Sequence, residues 1–167
     1  MDEAEIRAEL VKLLPRLRQF ALALTGSRAD GDDLVQDALE RALKRLDQWR
    51  VGTRLDSWLF RIAQNAWIDQ VRSRRSRGRI VTEDPDADAP GIDGAAAMTA
   101  SLTLSKALRV LASLPEEQRV VVALVQIDGY SYREASEILG VPEGTVTSRL
   151  SRARAALMAQ VLGEDAP

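Results

Sequence analysis

The sequence predicts an all-α protein: two small helical domains joined by a flexible acidic linker. Three observations lead there. Apolar residues recur at helical spacing through two long blocks, with no alternating strand pattern and no internal repeat. The stretch between the blocks is rich in Asp, Ala, Pro and Gly, with almost no large apolar residue beyond Ile80, Val81 and Ile92. Such a segment cannot bury enough surface to offset the entropy of ordering it. Finally, 167 residues with 46% hydrophobic content suffice for one medium or two small cores. The domains are expected at residues 1–77 and 98–162, with the linker at 78–97.

In chain order, Glu3 to Leu24 reads as helical. Pro15 either starts a second helix there or kinks a longer one, and Gly26 ends it. Asp30 to Leu46 is amphipathic, with Leu34, Val35, Ala38, Leu39, Ala42, Leu43 and Leu46 on one face. Opposite them Asp33, Gln36, Asp37 and Glu40 form a polar, acidic stripe. A loop at Asp47 to Arg54 carries Trp49 and Gly52. A long helix from about Leu55 to Ser76 buries Leu55, Trp58, Leu59, Ile62, Ala63 and Ala66, and exposes Arg61, Asn65, Asp69 and Arg72. Helices resume at Met98 and reach Pro115, and a further helix from Glu116 to Ile127 precedes the last motif.

That motif is Ser131 to Leu157. Ser131 and Glu134 have the spacing of a capping box, in which each side chain satisfies an orphan N–H at a helix start. Ala135, Ile138 and Leu139 follow at helical spacing, and Gly140 suits a left-handed cap. Pro142 suits the first turn of the next helix, where a missing N–H costs little. There Val146, Leu150, Ala153 and Leu157 make the buried stripe, and Thr147, Ser148, Arg149, Ser151, Arg152 and Arg154 lie outside or beside it. A short helix, a tight turn and a helix with a cationic polar face is the build of a helix-turn-helix that reads a DNA major groove.

A net charge of −2 looks unsuited to DNA until it is divided along the chain. Val51 to Val81 holds seven arginines against Asp56 and Asp69, whereas Thr82 to Ala97 holds five acids (Glu83, Asp84, Asp86, Asp88, Asp93) and no base. Local patches, not the total, set the field a phosphate meets. The weak overall charge does predict poor non-specific DNA affinity for the free protein. With no Cys and no His, disulfides, thiolate or imidazole metal sites and Cys or His catalysis are excluded. Asp32, Asp33 and Asp37 could in principle hold a divalent cation, but no second ligand set accompanies them. No cofactor is expected. The acidic N-terminus and the lack of a long apolar run predict a cytoplasmic protein with no membrane insertion.

Both halves together resemble a family: the sigma-70 type RNA polymerase sigma factors, in their extracytoplasmic-function (ECF) group. DDLVQDALERAL (Asp32 to Leu43) is similar to the core-polymerase-binding helix of sigma region 2, and DSWLFRIAQNAWIDQVRSRRSR (Asp56 to Arg77) to its promoter-melting helix. Leu114 to Leu157 resembles region 4. The resemblance implies a subunit that is not an enzyme, directs core polymerase to particular promoters and serves a stress or envelope response. Its implied partners are core RNA polymerase (the β′ clamp helices and the β flap), promoter DNA and an anti-sigma factor.

By the same resemblance, Asp33, Gln36, Asp37 and Glu40 would contact polymerase. Trp49, Arg61, Asn65, Arg72 and Arg75 would serve the −10 element, Trp49 as part of the Trp49–Thr53 wall around an extruded base. The structural alternative for Trp49 is a core anchor. Thr147, Ser148, Arg149, Ser151, Arg152 and Arg154 would read the −35 element. Thr147 stands where the family often has Lys or Arg, and Ser151 where a larger residue is frequent. Two promoter elements about 17 base pairs apart lie roughly 58 Å from each other, which about twenty linker residues span only when held extended. The resemblance places the acid run in a basic polymerase channel. The rival within the binding class is a stand-alone helix-turn-helix regulator, which would leave Asp56 to Arg77 unexplained and would normally be a dimer on symmetric half-sites.

Overall fold

The structure, a computed structural model, describes residues 1–78 and 95–164. The acid run and the rest of residues 79–94 lie outside the described residues. Among those described there are seven α-helices and no strand: α1 (Glu3–Thr25), α2 (Arg28–Lys44), α3 (Leu55–Ser76), α4 (Ala95–Ala112), α5 (Glu116–Val122), α6 (Tyr132–Leu139) and α7 (Glu143–Glu164). A 3-10 turn at Leu46–Gln48 follows α2, and α5 continues as π-helical turns at Ala123–Ile127.

Helices α1, α2 and α3 pack on one another as the first domain. A reciprocal pair starts α1: Asp2 Oδ1 accepts the Glu5 N–H at 2.8 Å, and Glu5 Oε2 accepts the Asp2 N–H at 2.7 Å. The helix runs through Pro15, so of the two alternatives the single longer helix is the one formed. An interior proline costs about 3 kcal/mol. Leu10, Leu17, Phe20 and Leu24, all at most 3% exposed, outweigh that, each contributing about 1.5–3 kcal/mol on burial. Ser27 caps α2 through its Oγ, which accepts the Asp30 N–H at 3.1 Å. Gly31 lets α2 approach α1 closely, since a Cβ there would sit 3.3 Å from Leu22 N and 3.4 Å from Thr25 Oγ1.

The second domain comprises α4 to α7. Leu114, Val121, Leu124, Ala135, Ile138, Val146, Leu150 and Ala153 form its centre. Helix α4 starts three residues before the expected Met98. It rests on α1 and α7 with no fully buried side chain, leaving Met98 and Leu102 exposed. The cores of the two domains are continuous: Phe60 packs at a tilt against Phe20 at 4.9 Å between centroids and meets the edge of Tyr130 at 5.5 Å.

The capping box is present: Ser131 Oγ accepts the Glu134 N–H at 3.2 Å, and Glu134 Oε2 accepts the Ser131 N–H at 2.7 Å. Gly140 closes α6 at φ 67° with its N–H on Ser136 O at 2.9 Å, a left-handed geometry in which any L side chain would be strained. Substituting Ser131→Ala removes one half of the box. A loss of about 1 kcal/mol is expected in urea unfolding, and no measurable loss would contradict the capping role.

Candidate nucleic-acid interface

The polar face of α7 is built by its own periodicity. Val146, Leu150 and Ala153 are fully buried against α5 and α6, which turns Thr147, Ser148, Ser151, Arg152 and Arg154 outward. Thr147 and Ser148 donate to the Glu143 and Thr145 carbonyls at 3.0 and 3.1 Å, so these hydroxyls are held close to the helix. Arg149 is half-buried, with Nη2 3.5 Å from Glu117 at the start of α5. All six residues expected on this helix therefore lie on one element, five exposed and one paired.

On α2, Asp33, Gln36 and Glu40 are exposed, and Gln36 donates to Glu40 at 3.3 Å. Gln36 and Glu40 line a groove of about 890 Å³ between α1 and α2, with Leu104 of α4 along its wall. Asp37 differs from the other three. It is half-buried, accepts from Arg41 Nε at 2.8 Å and from Gln70 at 3.4 Å, and is thereby tied toward α3. Arg41 also donates to Asp69 at 2.6 Å. The hydrogen bonds to Asp69 and then Asp37 hold the Arg41 guanidinium charged more firmly than usual.

Helix α3 presents Arg61 and Asn65 one turn apart, both exposed. Arg61 is not idle: its Nε donates to Ile138 O at 3.3 Å and its Nη2 to Glu137 O. These are carbonyls of the last turn of α6, which lack partners within their own helix, so a guanidinium from the first domain caps a helix of the second. Arg75 donates to Glu116 at 2.5 Å and Arg54 pairs with Glu134. Gln64, Trp67, Arg72, Arg75, Glu116 and Arg149 contribute to an interdomain cleft of about 360 Å³. Asp56 anchors the start of α3. Burial pushes its carboxyl up, but the Arg54 fork, the Ser57 N–H and the Tyr130 hydroxyl outweigh that and hold it below its ordinary value. Burial first, and then the Asp56 charge, push the Tyr130 phenol up.

Comparisons with known proteins cover both domains. The family described as Sigma-70 region 2 matches residues 10–77, and the one described as Sigma-70, region 4, matches residues 104–157. The ECF RNA polymerase sigma factor EcfG of Rhodopseudomonas palustris is 37% identical over 92% of this chain and 83% of its own length. The chain belongs to the sigma-70 family, in its ECF group. SigM of Mycobacterium tuberculosis, another ECF sigma factor, is 36% identical over 89% of this chain and 72% of its own length. Among solved structures, the Bartonella quintana sigma factor RpoE in complex with the anti-sigma factor NepR superposes with a TM-score of 0.79. It is 34% identical over 97% of this chain and 99% of that one. CnrH in complex with the cytosolic domain of CnrY gives a TM-score of 0.73 at 28% identity, covering 99% and 92% of the two chains.

In this sigma factor the residues assigned to the −10 element do not share one surface. Arg61 and Asn65 share a face of α3, and Arg72 and Arg75 follow on the same helix beside the cleft. Trp49 occupies the core position of its structural alternative: it is 8% exposed and packs in the first-domain core, its Nε1 sealed without a hydrogen-bond partner. The exposed part of that loop is Arg50 to Arg54. Arg16, Arg54, Asp128 and Tyr130, which join the domains, have no local pattern that would single them out. Among the described residues no group of three or more His, Cys, Asp or Glu side chains is placed to hold a metal, and no helix is long and apolar enough to cross a membrane.

Proposed function

We propose that this sigma factor is a cytoplasmic promoter-specificity subunit, not an enzyme, that docks on core RNA polymerase, reads the −35 element with α7 and captures melted −10 bases with α3. The observation that carries this reading is the presence in one chain of two exposed faces of opposite character: the acidic stripe of α2 and the Arg, Ser and Thr face of α7. Asp33, Gln36 and Glu40 meet the β′ clamp helices, while Asp37, held by Arg41 and Gln70, fixes the angle of α2 against α3. The second domain takes the β flap. An Asn can pair with a base edge and an Arg one turn away can hold a phosphate or stack, which suits Asn65 and Arg61 to an unpaired strand.

Arg61 cannot cap α6 and touch a promoter at the same time, so engagement requires the domains to part. RpoE in complex with NepR and CnrH in complex with CnrY support an anti-sigma factor as a further partner of this chain. Run-off transcription with purified core enzyme tests the reading: initiation should depend on the chain and on both promoter elements. Tight binding to duplex DNA without core would favour a stand-alone regulator instead. Substituting Asp33, Gln36 and Glu40 together by Ala should weaken core binding tenfold or more, at about 1 kcal/mol for each intermolecular hydrogen bond removed. The melting transition should move little, because all three side chains are exposed. Undiminished core binding by that variant would remove the stripe from the interface.

A further inference from the structure

Beyond polymerase and promoter, the join between the two domains has a chemistry of its own. Asp128 follows the π-helical turns of the second domain and faces α1 of the first. Its side chain is 1% exposed. Oδ2 has no hydrogen-bond partner, and Oδ1 lies 3.9 Å from Arg16 Nε, beyond hydrogen-bonding length. Arg16 is shared: it donates to the Asp128 carbonyl at 3.4 Å, lies 3.7 Å from Asp56, and has its guanidinium 5.4 and 5.1 Å from the Phe60 and Tyr130 ring centres. Asp128 also sits at the C-terminal end of a helix, its N–H on Ala123 O at 3.0 Å, where the backbone presents partial negative charge.

A sealed carboxylate with one distant, divided cation and a helix C-terminus behind it is a poor place for a negative charge. We propose that Asp128 is a proton-operated latch: the packed arrangement of the two domains holds this carboxyl neutral, and ionising it favours their separation. The charged group that acts on it is Arg16 from α1; Arg16 in turn lies beside Asp56 at the start of α3 and the Tyr130 ring, with Arg54 next to both and paired to Glu134. Arg16 favours the ionised form. Asp56 opposes it by occupying Arg16, and Arg54 is engaged by Asp56 and Glu134.

The direction follows from linkage. Burial pushes the Asp128 carboxyl up to about 7 in the packed form, Arg16 drawing it only part of the way back. Once the domains part, it returns toward its ordinary value of 3.8. Packing therefore takes up a proton between these two values. The ratio of packed to parted molecules falls as pH rises, by up to about tenfold per pH unit, and levels off above about pH 7. An alkaline shift thus releases Arg61 from α6.

The test uses the full chain and does not depend on polymerase. The sequence contains no Cys, so Val11→Cys on α1 and Met158→Cys on α7, replacing side chains 63% and 60% exposed, carry a fluorophore pair. Energy transfer should fall as pH rises from about 5 to about 8, tracking a decrease of about a hundredfold in the packed-to-parted ratio. Asp128→Asn, a neutral isostere, should match the parent near pH 5 and stay packed near pH 8. A flat parent profile, or a variant that follows the parent, overturns the latch. A carboxyl-carbon NMR titration of the unlabelled chain provides a second reading: a midpoint near 7 for Asp128 supports the proposal and one near 4 defeats it.

Discussion

Replacing Phe60 by Ala is expected to destabilise the protein by about 3–5 kcal/mol, the range for emptying a buried aromatic site. Phe60 is completely buried, packs at a tilt against Phe20, meets the edge of Tyr130 and lies under the Arg16 guanidinium. Small domains hold only about 5–15 kcal/mol in total, so this one change removes a large share. Because Phe60 belongs to α3 and Tyr130 to the second domain, the loss should also uncouple the two. Urea unfolding followed by circular dichroism should shift from one transition toward two. Phe60→Leu, which keeps most of the volume, should cost far less. A loss below about 1 kcal/mol in the Ala variant would mean that the aromatic join contributes little.

Removing Arg149 and Arg152 together should abolish most −35-dependent initiation while leaving the fold intact. Arg152 is exposed, and Arg149, half-buried beside Glu117, lies outside the stripe of Val146, Leu150 and Ala153, so the core of the domain does not depend on either. A guanidinium that reads a base is worth about 1–3 kcal/mol, so removing two should cost about 2–6 kcal/mol, roughly thirtyfold or more in promoter-directed transcription. Single variants divide the roles. A base-reading arginine relaxes sequence preference at one position. A phosphate-binding one weakens all promoters alike and lowers the salt dependence by about one counterion. Undiminished transcription from a −35-dependent promoter would take α7 out of the recognition role.

Helix ends are legible because caps are local. Ser131, Glu134 and Gly140 declare α6 within ten residues, and the spacing of Leu59, Ile62, Ala63 and Ala66 marks the buried face of α3, which runs over Leu55–Ser76 as its periodicity predicts. The family is legible because two such blocks occur in order. The early start of α4 is not: its first turn is Ala95, Ala96 and Ala97, which adds no large apolar residue to the periodic pattern. Trp49 is ambiguous for a different reason. A Trp beside a Gly fits a core or a pocket equally well, and the packing of α1, α2 and α3 resolves it toward the core.

The use each charged residue is put to belongs to longer range. Arg61, Arg72 and Arg75 read alike in the chain, yet Arg61 caps α6 and Arg75 meets Glu116. Arg16 and Asp128 are 112 positions apart and no pattern links them, but between them they form the join that the latch depends on. Amphipathic periodicity and capping act over one or two helical turns, so residue order alone specifies where helices run and which face turns inward. Electrostatic partnership depends on which surfaces two separately formed domains bring within a few ångströms, and that is a property of their packing.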